Sequence, residues 1–487
     1  MKKMQSIKFN FVMNALLSLS SVLFPLISFP YVSRVLMPGG IGKVSFVTSV
    51  VSYFSMVAML GVPVYGIRAC AAVRDDKEKL SARVQEIFII NTVMGLLAYA
   101  ALFITVWKIP LFSQYKSLFV VLSFTIGLNV IGVEWLYKAL EQYSYITARS
   151  LLFKAVSLVL MFIFIRDESD YLIYGAITVF SSAGSYVLNF IKLRKYIILK
   201  PIGHYNFRQH YKMIVVFFAM TAATMIYTNL DTVMLRIMRD DIQVGYYNSA
   251  VKIKSVLVGI VTSLGTVLMP RVSYYISKGM EAAFKSVTQK ALNFVFIIAL
   301  PLTLYFMLLA DHSIYLLSGN AYSKSIIPMV IIMPTVLLIG LSNILGIQIL
   351  VPMKKELVVL YSECIGAVVD LIINWILIPR YAAAGAAIGT LVAEFAVLIV
   401  QYIALRRMLN PMLRNIQFFK LFVANVLAMI VTILTRNFFE SDFITLFMTS
   451  VLYFGIYFIA LILLKEQFIR EGIEELAERL NVRKSGK

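Results

Sequence analysis

Apolar residues run along this chain in long, nearly unbroken stretches separated by short polar turns. A membrane-spanning helix needs about 20 consecutive apolar residues, and about fourteen such runs can be read from the sequence. They lie at about residues 9–31, 44–65, 85–106, 117–137, 146–165, 171–191, 213–235, 246–269, 288–310, 326–350, 357–378, 383–404, 417–435 and 442–464. The connections between them are too short for a soluble domain. The pattern predicts an all-α, polytopic membrane protein with about 14 transmembrane helices.

The composition supports this fold class. Of 487 residues, 60% are hydrophobic and 14% are charged, whereas soluble domains have roughly 45–50% and about 25%. The N-terminus, MKKMQSIK, precedes an apolar run without a small-residue cleavage site, which predicts an uncleaved first span. The two cysteines, Cys70 and Cys364, make neither a disulfide framework nor a zinc-binding spacing, so we expect no metal site.

Lysine and arginine are distributed unevenly over the loops. If the N-terminus is cytoplasmic, the loops assigned to the cytoplasmic side carry a roughly threefold excess of these residues, loop after loop. This bias predicts that both termini are cytoplasmic. It also accounts for most of the formal net charge of +20 as a membrane-orientation signal, so no nucleic-acid partner is expected. After the last span, Ile469, Ile473, Leu476 and Leu480 form an apolar stripe typical of an interfacial helix.

The sequence repeats itself at an offset of six spans. Asn129–Leu136 in the fourth span matches Asn343–Leu350 in the tenth, and the first and seventh spans end in similar motifs at Arg34 and Arg236, each followed by a short turn containing a glycine, Gly42 or Gly245. An even offset preserves orientation, which predicts two six-helix bundles related by an axis along the membrane normal, plus two peripheral helices. The predicted domains are residues 1–212 (first bundle), 213–415 (second bundle), 416–464 (peripheral helices 13 and 14) and 465–487 (cytoplasmic amphipathic helix and basic tail).

Several charged residues lie inside the predicted spans, where a charge costs several kcal/mol unless it faces a wet cavity or a partner. The stretch Tyr227–Lys254 concentrates them around one hairpin. The candidates for function are Arg34, Lys154, Lys252, Lys254, Glu134, Asp231, Asp370 and Glu394. Asp370 and Asn374 are four residues apart and share a helix face. The alternative is structural: ion pairs that pin helices together, and lysines that reach to the interface.

A membrane enzyme is disfavoured because no large polar loop or acidic catalytic cluster is present. The segment Pro38–Lys43 lacks the spacing of a phosphate-binding loop. A net-cationic cavity with polar and aromatic walls instead suits a ligand that has an anionic head and a polar body.

Several motifs together identify a family resemblance over roughly residues 5–465. They are Pro30–Leu36, Gly61–Arg68 with Arg74–Lys77, Asn229–Met234, Val244–Tyr247, Asn374–Tyr381, Ala384–Thr390 and Glu394. With this set the chain resembles the bacterial Wzx-type polysaccharide flippases, in the superfamily that also includes lipid II flippases and MATE drug exporters. Met37 departs from the family, which commonly has glycine there.

The resemblance implies a non-enzymatic carrier that flips undecaprenyl-pyrophosphate-linked oligosaccharide from the cytoplasmic to the outer leaflet of the bacterial cytoplasmic membrane by alternating access. It makes Arg34, Lys154, Lys252 and Lys254 candidates for binding the pyrophosphate head group. Glu134, Asp231, Asp370 and Glu394 become pairing or coupling carboxylates.

The implied partners are the lipid-linked substrate, membrane lipids, and a polysaccharide polymerase with its assembly proteins. No cofactor is expected, and a proton, a sodium ion or the membrane potential stays open as the driving force. The alternative function is a small-molecule or drug antiporter of the same superfamily.

Overall fold

The computed structural model describes residues 7–203, 205–471 and 474, with the backbone alone described at residues 7, 8, 11, 220, 264–271 and 277. The described residues form helices and no β-strand. The helices are α1 (Ile7–Met59), α2 (Val62–Ala71), α3 (Lys77–Lys108), α4 (Pro110–Ser113), α5 (Lys116–Gly132), α6 (Glu134–Ala139), α7 (Tyr143–Phe164), α8 (Tyr171–Val179), α9 (Tyr186–Leu193), α10 (Arg208–Met238), α11 (Asp241–Ser277), α12 (Glu281–Leu308), α13 (Ala310–Ser318), α14 (Ile326–Ile332), α15 (Thr335–Asn343), α16 (Glu356–Arg414), α17 (Phe418–Thr435) and α18 (Asp442–Leu463). Short 3₁₀ turns occupy Glu168–Asp170 and Asn320–Ser325, and π-helical turns occupy Phe180–Gly184 and Ile344–Leu350.

The all-α, polytopic fold class is confirmed. In the described part of the chain, nine helices are long and apolar enough to cross a membrane, or ten if Asn320–Ile332 and Thr335–Leu350, bent by 44°, form one broken span. The count of fourteen stays a prediction. The predicted stripe from Ile469 to Leu480 lies mostly outside the described residues.

Two of the helices, α1 and α16, are each long enough for two membrane spans. α16 has 59 residues, or about 88 Å of helix, against a hydrocarbon thickness of about 30 Å. It is interrupted at Ala382 (φ 49°, ψ −124°). α1 has 53 residues and is interrupted at Met37 (φ 57°, ψ 174°), directly before Pro38, a residue well suited to the first position of a helix. The turn expected after Arg34 is thus a single-residue break.

The chain divides into two compact units, Met1–Asn248 and Ser249–Lys487. In the first unit, α10 packs against α1 and α2. The domain limits predicted after residues 212, 415 and 464, and the predicted symmetry axis, stay predictions.

The first unit has two apolar clusters. In one, the ring of Phe46 on α1 meets the rings of Phe112 and Tyr115 at centroid distances of 5.7 and 5.6 Å. In the other, Trp135 and Tyr137 of α6 pack with α2 and the start of α3. The fully buried Tyr137 donates its hydroxyl hydrogen to the carbonyl oxygen of Asn189, 2.6 Å away. Buried tyrosines are hydrogen-bonded in this way because an unpaired hydroxyl is costly in an apolar interior.

In the second unit, tyrosine hydroxyls attach α18 to α12 and to α17. Tyr305 of α12 donates to the carbonyl oxygen of Leu446 at 2.7 Å, and Tyr457 of α18 donates to that of Ile297 at 3.0 Å. Tyr453 donates to Oδ1 of Asn425 on α17 at 2.9 Å. These contacts fix the last two helices with directional bonds.

The internal repeat has a local structural counterpart. After α6, Glu141 has a positive φ of 55°, and Gln142 N–H donates to the carbonyl oxygen of Tyr137. In the second unit Lys354 has a φ of 59°, and Lys355 N–H donates to the carbonyl oxygen of Leu350. The two matching segments therefore end in the same type of helix cap.

Candidate functional site

Glu134 is the centre of a charged cluster in the first unit. Its Oε1 lies 2.9 Å from Nζ of Lys138, and its Oε2 lies 2.7 Å from Nη2 of Arg149. The Arg149 side chain is 3% exposed. Glu134 is therefore a pairing carboxylate with two cations, one of them buried.

Arg149 is held from several sides. Its guanidinium lies 5.1 Å from the ring centroid of Tyr186 and 5.8 Å from that of Tyr145, and Nη1 donates to Oγ of Ser185. Its buried Nε has no hydrogen-bond partner among the described residues. Aromatic faces stabilise a desolvated cation, so this arginine keeps its charge inside the unit and retains one donor.

Local backbone irregularities build this cluster. Val133 has a left-handed conformation (φ 36°) that ends α5 and starts α6 at Glu134. The π-helical turn Phe180–Gly184 precedes Ser185, and such turns occur frequently at functional sites. A Cβ on Gly132 would lie 2.7 Å from the ring of Tyr186, so glycine permits this close approach.

Sequence reasoning missed Arg149, because the charge count assigns this residue, near the start of the fifth predicted span, to the cytoplasmic side. The structure instead buries it against Glu134, 15 residues earlier in the chain. No periodicity links two residues on different helices across such a separation, so the sequence contains no direct signal for this pair.

Lys154 lies five residues after Arg149 on α7 and is half-buried. Its Nζ lies 2.9 Å from both Oγ of Ser20 and Oγ of Ser21 on α1. It has no carboxylate within ion-pair distance in the described part of the chain. Two neutral hydroxyls orient the ammonium group and leave its charge uncompensated at short range. Glu134 interacts electrostatically with Lys154, at a distance beyond that of an ion pair.

Arg34 and Asp231 belong to the same unit as Lys154. Arg34 is exposed, and its Nη1 donates to the carbonyl oxygen of Pro30 at 2.6 Å. Asp231 is 5% exposed and accepts a hydrogen bond from the hydroxyl of Tyr247.

The other candidates belong to the second unit. Lys252 and Lys254 are half-buried on α11. On α16, Asp370 is 1% exposed, Asn374 is 0% exposed and Glu394 is 7% exposed. The two lysines are only two residues apart and so cannot both point straight into one cavity, and the assignment of at least one of them to a central cavity stays a prediction.

Asp370 and Asn374 share a face, as their spacing indicates. A Cβ on Gly389 would lie 2.1 Å from Oδ1 of Asn374 and 3.0 Å from Oδ1 of Asp370. The break at Ala382 thus folds one segment of α16 against the other, with a glycine where the polar side chains approach. In the described residues, no group of three or more histidine, cysteine, aspartate or glutamate side chains could hold a metal ion.

A further polar group, also missed from the sequence, joins α10, α11 and the turn before α5. Nε of Arg236 lies 2.9 Å from Oδ1 of Asp241, and the hydroxyl of Tyr115 donates to Oδ2 of Asp241 at 2.7 Å. Burial and the neighbouring carboxylate raise the pKa of Tyr115 well above its usual range. Asp241 therefore holds the start of α11 to two other segments.

The same region contains two reciprocal glycine contacts between α1 and α11. A Cβ on Gly42 would lie 1.7 Å from the carbonyl oxygen of Asp241, and a Cβ on Gly245 would lie 2.1 Å from that of Pro38. The two glycines are the ones that the repeat pairs with each other. Gly42 therefore allows α1 to contact the backbone at the start of α11, and Gly245 allows α11 to contact the backbone of α1. The two contacts are reciprocal, as in an interface between two related elements.

Comparison with known proteins identifies the family. The profile of a family described as "Polysaccharide biosynthesis protein" matches residues 7–276, more than half of the chain. The chain belongs to this family. A second profile, described as MatE, matches residues 216–376.

Curated relatives of this family member include two bacterial proteins. A "Putative O-antigen transporter" of Escherichia coli (strain K12) is 27% identical over 80% of this chain and 94% of its own length. A protein of the same name from Shigella dysenteriae is 23% identical over 78% of this chain and 95% of its own length.

Solved structures show the same fold. "Lipid II flippase MurJ, inward closed conformation" aligns with a TM-score of 0.70 and 14% identity, over 92% of this chain and 98% of its own. An inward-facing "multidrug resistance MATE family transporter of the MOP superfamily" aligns with a TM-score of 0.64 and 15% identity, over 83% of this chain and 99% of its own.

The recognition of a Wzx-type flippase of this superfamily from its motifs is therefore confirmed. So is the prediction that the chain is not an enzyme, because the relatives found are transporters and flippases. The family member is a multi-pass membrane protein.

Proposed function

We propose that this protein flips undecaprenyl-pyrophosphate-linked oligosaccharide from the cytoplasmic to the outer leaflet of the bacterial cytoplasmic membrane. The observation that carries the proposal is the family match over residues 7–276, together with relatives named O-antigen transporters that align over nearly their whole length. The orientation with both termini cytoplasmic comes from the loop charges.

The geometry supports an anionic ligand. Lys154 is oriented by two serine hydroxyls, and among the described residues no carboxylate lies within ion-pair distance of its ammonium group. A pyrophosphate group would compensate its charge through charge-assisted hydrogen bonds. Arg149, by contrast, already pairs with Glu134, which makes it a positioning residue of the same region.

Alternating access through a net-cationic cavity is the proposed mechanism. Head-group binding is assigned to Lys154 first, and to Arg34, Lys252 and Lys254 after it. The aromatic and hydroxyl side chains of the spans would contact the sugars, and the prenyl chain would stay in the lipid. A polysaccharide polymerase and its assembly proteins would receive the product.

The experiment is deletion of the gene in its host, followed by complementation. Deletion is expected to remove the surface glycan and to accumulate the lipid-linked repeat unit inside the cell. The wild-type gene should reverse both effects, whereas Lys154→Gln should clear the precursor at least tenfold more slowly at equal membrane expression. Lys285→Gln is the matched control, because Lys285 is exposed and paired with Glu281 at 2.7 Å.

The outcomes distinguish a wrong head-group assignment from a wrong proposed function. If Lys154→Gln and the corresponding Lys252 and Lys254 variants all complement fully, the head-group assignment is wrong while the flippase function stands. The MatE match over residues 216–376 favours one alternative, a small-molecule antiporter. A deletion that leaves glycan and precursor unchanged but alters drug or ion tolerance would support that alternative and refute the flippase.

A further inference from the structure

A buried polar cluster, separate from the charges discussed above, joins three helices of the first unit. Tyr65 lies on α2, Glu86 on α3 and His210 in the first turn of α10. The hydroxyl of Tyr65 lies 2.6 Å from Nδ1 of His210, and Nε2 of His210 lies 2.7 Å from Oε2 of Glu86. The three residues are 7%, 3% and 0% exposed in chain order.

Glu86 is hydrogen-bonded through both of its carboxyl oxygens. Oε1 accepts from the backbone N–H of Asn206 at 2.6 Å, and Oε2 accepts from Nε2 of Gln209 at 3.0 Å as well as from His210. Both oxygens of this side chain therefore accept hydrogen bonds. The chain of bonds is then complete with a neutral histidine: Tyr65 donates to Nδ1, and Nε2–H donates to Glu86.

One additional proton changes this arrangement at a single atom. It would bind Nδ1 of His210, which then donates to the hydroxyl oxygen of Tyr65, so that the tyrosine must turn its own hydrogen elsewhere. In the described part of the chain, the other titratable and charged groups that act on the cluster are Arg83 of α3 and Cys70 of α2. Proton uptake thus strengthens the attachment of α10 to α3 through Glu86 and alters its attachment to α2.

The chain segment before α10 is fastened to the same face of α3. Ile198 N–H donates to Oγ of Ser81 at 2.9 Å, and Nε2 of Gln85 donates to the carbonyl oxygen of Ile198 at 2.7 Å. The hydroxyl of Tyr205 donates to Oε1 of Gln85 at 2.8 Å. A change at His210 therefore acts on the connection between the two predicted bundles.

We propose that Tyr65, Glu86 and His210 form a proton-binding site that couples proton uptake to the transport cycle. The proton comes from water and is held on Nδ1 of His210, with Glu86 as the counter-ion. The proposal rests on the proposed function for its role in transport, and on the cluster geometry alone for proton binding.

Proton binding is tested on the full-length protein in lipid nanodiscs. The chain has three histidines, so ¹⁵N-histidine NMR can follow each titration, and His210→Gln assigns the signal. Glu86→Gln should lower the midpoint of His210, and Arg83→Gln should raise it, each by about one pH unit, because the first removes a negative and the second a positive neighbour. Asp442→Asn, beside His312 at 2.6 Å, is the control and should leave His210 unchanged.

Coupling is tested in the complemented deletion strain by measuring precursor clearance as the internal pH is varied. The pH dependence of clearance should shift to lower pH with Glu86→Gln and to higher pH with Arg83→Gln. Clearance by the His210→Gln variant should no longer depend on pH. A His210 signal that does not titrate between pH 4 and 9, or midpoints that do not move in opposite directions, would refute the site. If the midpoints move but clearance by the wild type is independent of pH, coupling is wrong although the flippase stands. If the wild type clears no precursor, the proposed function fails independently of the NMR result.

Discussion

The glycine contacts between α1 and α11 allow a prediction of stability from distances alone. Ordinary contact for a Cβ begins at 3.4 Å, so alanine at Gly42 would require a backbone displacement of about 1.7 Å, and alanine at Gly245 one of about 1.3 Å. The atoms in the way are main-chain carbonyl oxygens of Asp241 and Pro38. They cannot move without the helices, unlike the end of a flexible side chain.

The expected magnitude follows from two opposing effects. Overpacking typically costs about 1–3 kcal/mol, and the larger displacement places Gly42→Ala near the upper end of that range. The better helix propensity of alanine offsets up to about 1 kcal/mol. We therefore expect a net loss of about 2 kcal/mol for Gly42→Ala and a smaller loss for Gly245→Ala. The double variant should lose less than the sum, since either substitution opens the same contact.

The assay measures the melting temperature of the purified protein in one detergent. The folded fraction that remains after heating is measured by size-exclusion chromatography with fluorescence detection. Gly455→Ala on α18 is the matched control, because a Cβ there meets no atom within 4 Å. The expected order of melting temperature is Gly455→Ala at or above wild type, then Gly245→Ala, then Gly42→Ala. If Gly42→Ala melts together with Gly455→Ala, the close packing of α1 on α11 is not as described and the reasoning fails.

Three further substitutions test the backbone, the buried charge and a helix cap. Met37→Gly should raise the melting temperature, because a non-glycine residue at this φ and ψ costs about 1–3 kcal/mol. Arg149→Met should cost about 3–5 kcal/mol by leaving Glu134 without its buried partner. Hydrogen bonds from Lys79 hold the pKa of Asp76 below its usual range. The cap that Asp76 makes on α3 therefore stabilises fully above the ordinary carboxyl pKa and is lost as pH falls through the lowered value. The stability difference between wild type and Asp76→Ala should shrink on acidification.

Each of these has a conservative control. Met37→Ala keeps the Cβ and should gain nothing, so a gain equal to that of Met37→Gly would refute backbone strain. Combining Arg149→Met with Glu134→Gln should cost less than the two single changes together, and strict additivity would mean that the pair does not interact. Asp76→Asn keeps a capping oxygen without a charge, so its stability relative to Asp76→Ala should not depend on pH.

The fold class and the family of this protein can be predicted from its sequence alone. Apolar runs determine helices in lipid because every backbone polar group must be satisfied within its own segment, and this local rule predicted the all-α, polytopic fold. The motifs around Arg34 and Asp231 were sufficient for the family. The shared face of Asp370 and Asn374 follows from the helical period of 3.6 residues.

Contacts between distant segments were decided only by the tertiary structure. The apolar runs mark Glu134 as an intramembrane charge, but they do not show that Arg149 is its partner. His210 lies in the sequence between the sixth and seventh predicted spans, and the structure buries it completely between Tyr65 and Glu86. The physical reason is common to both: burial and pairing depend on which helices meet and at what rotation. Packing between segments sets that geometry, and no periodicity within one segment encodes it.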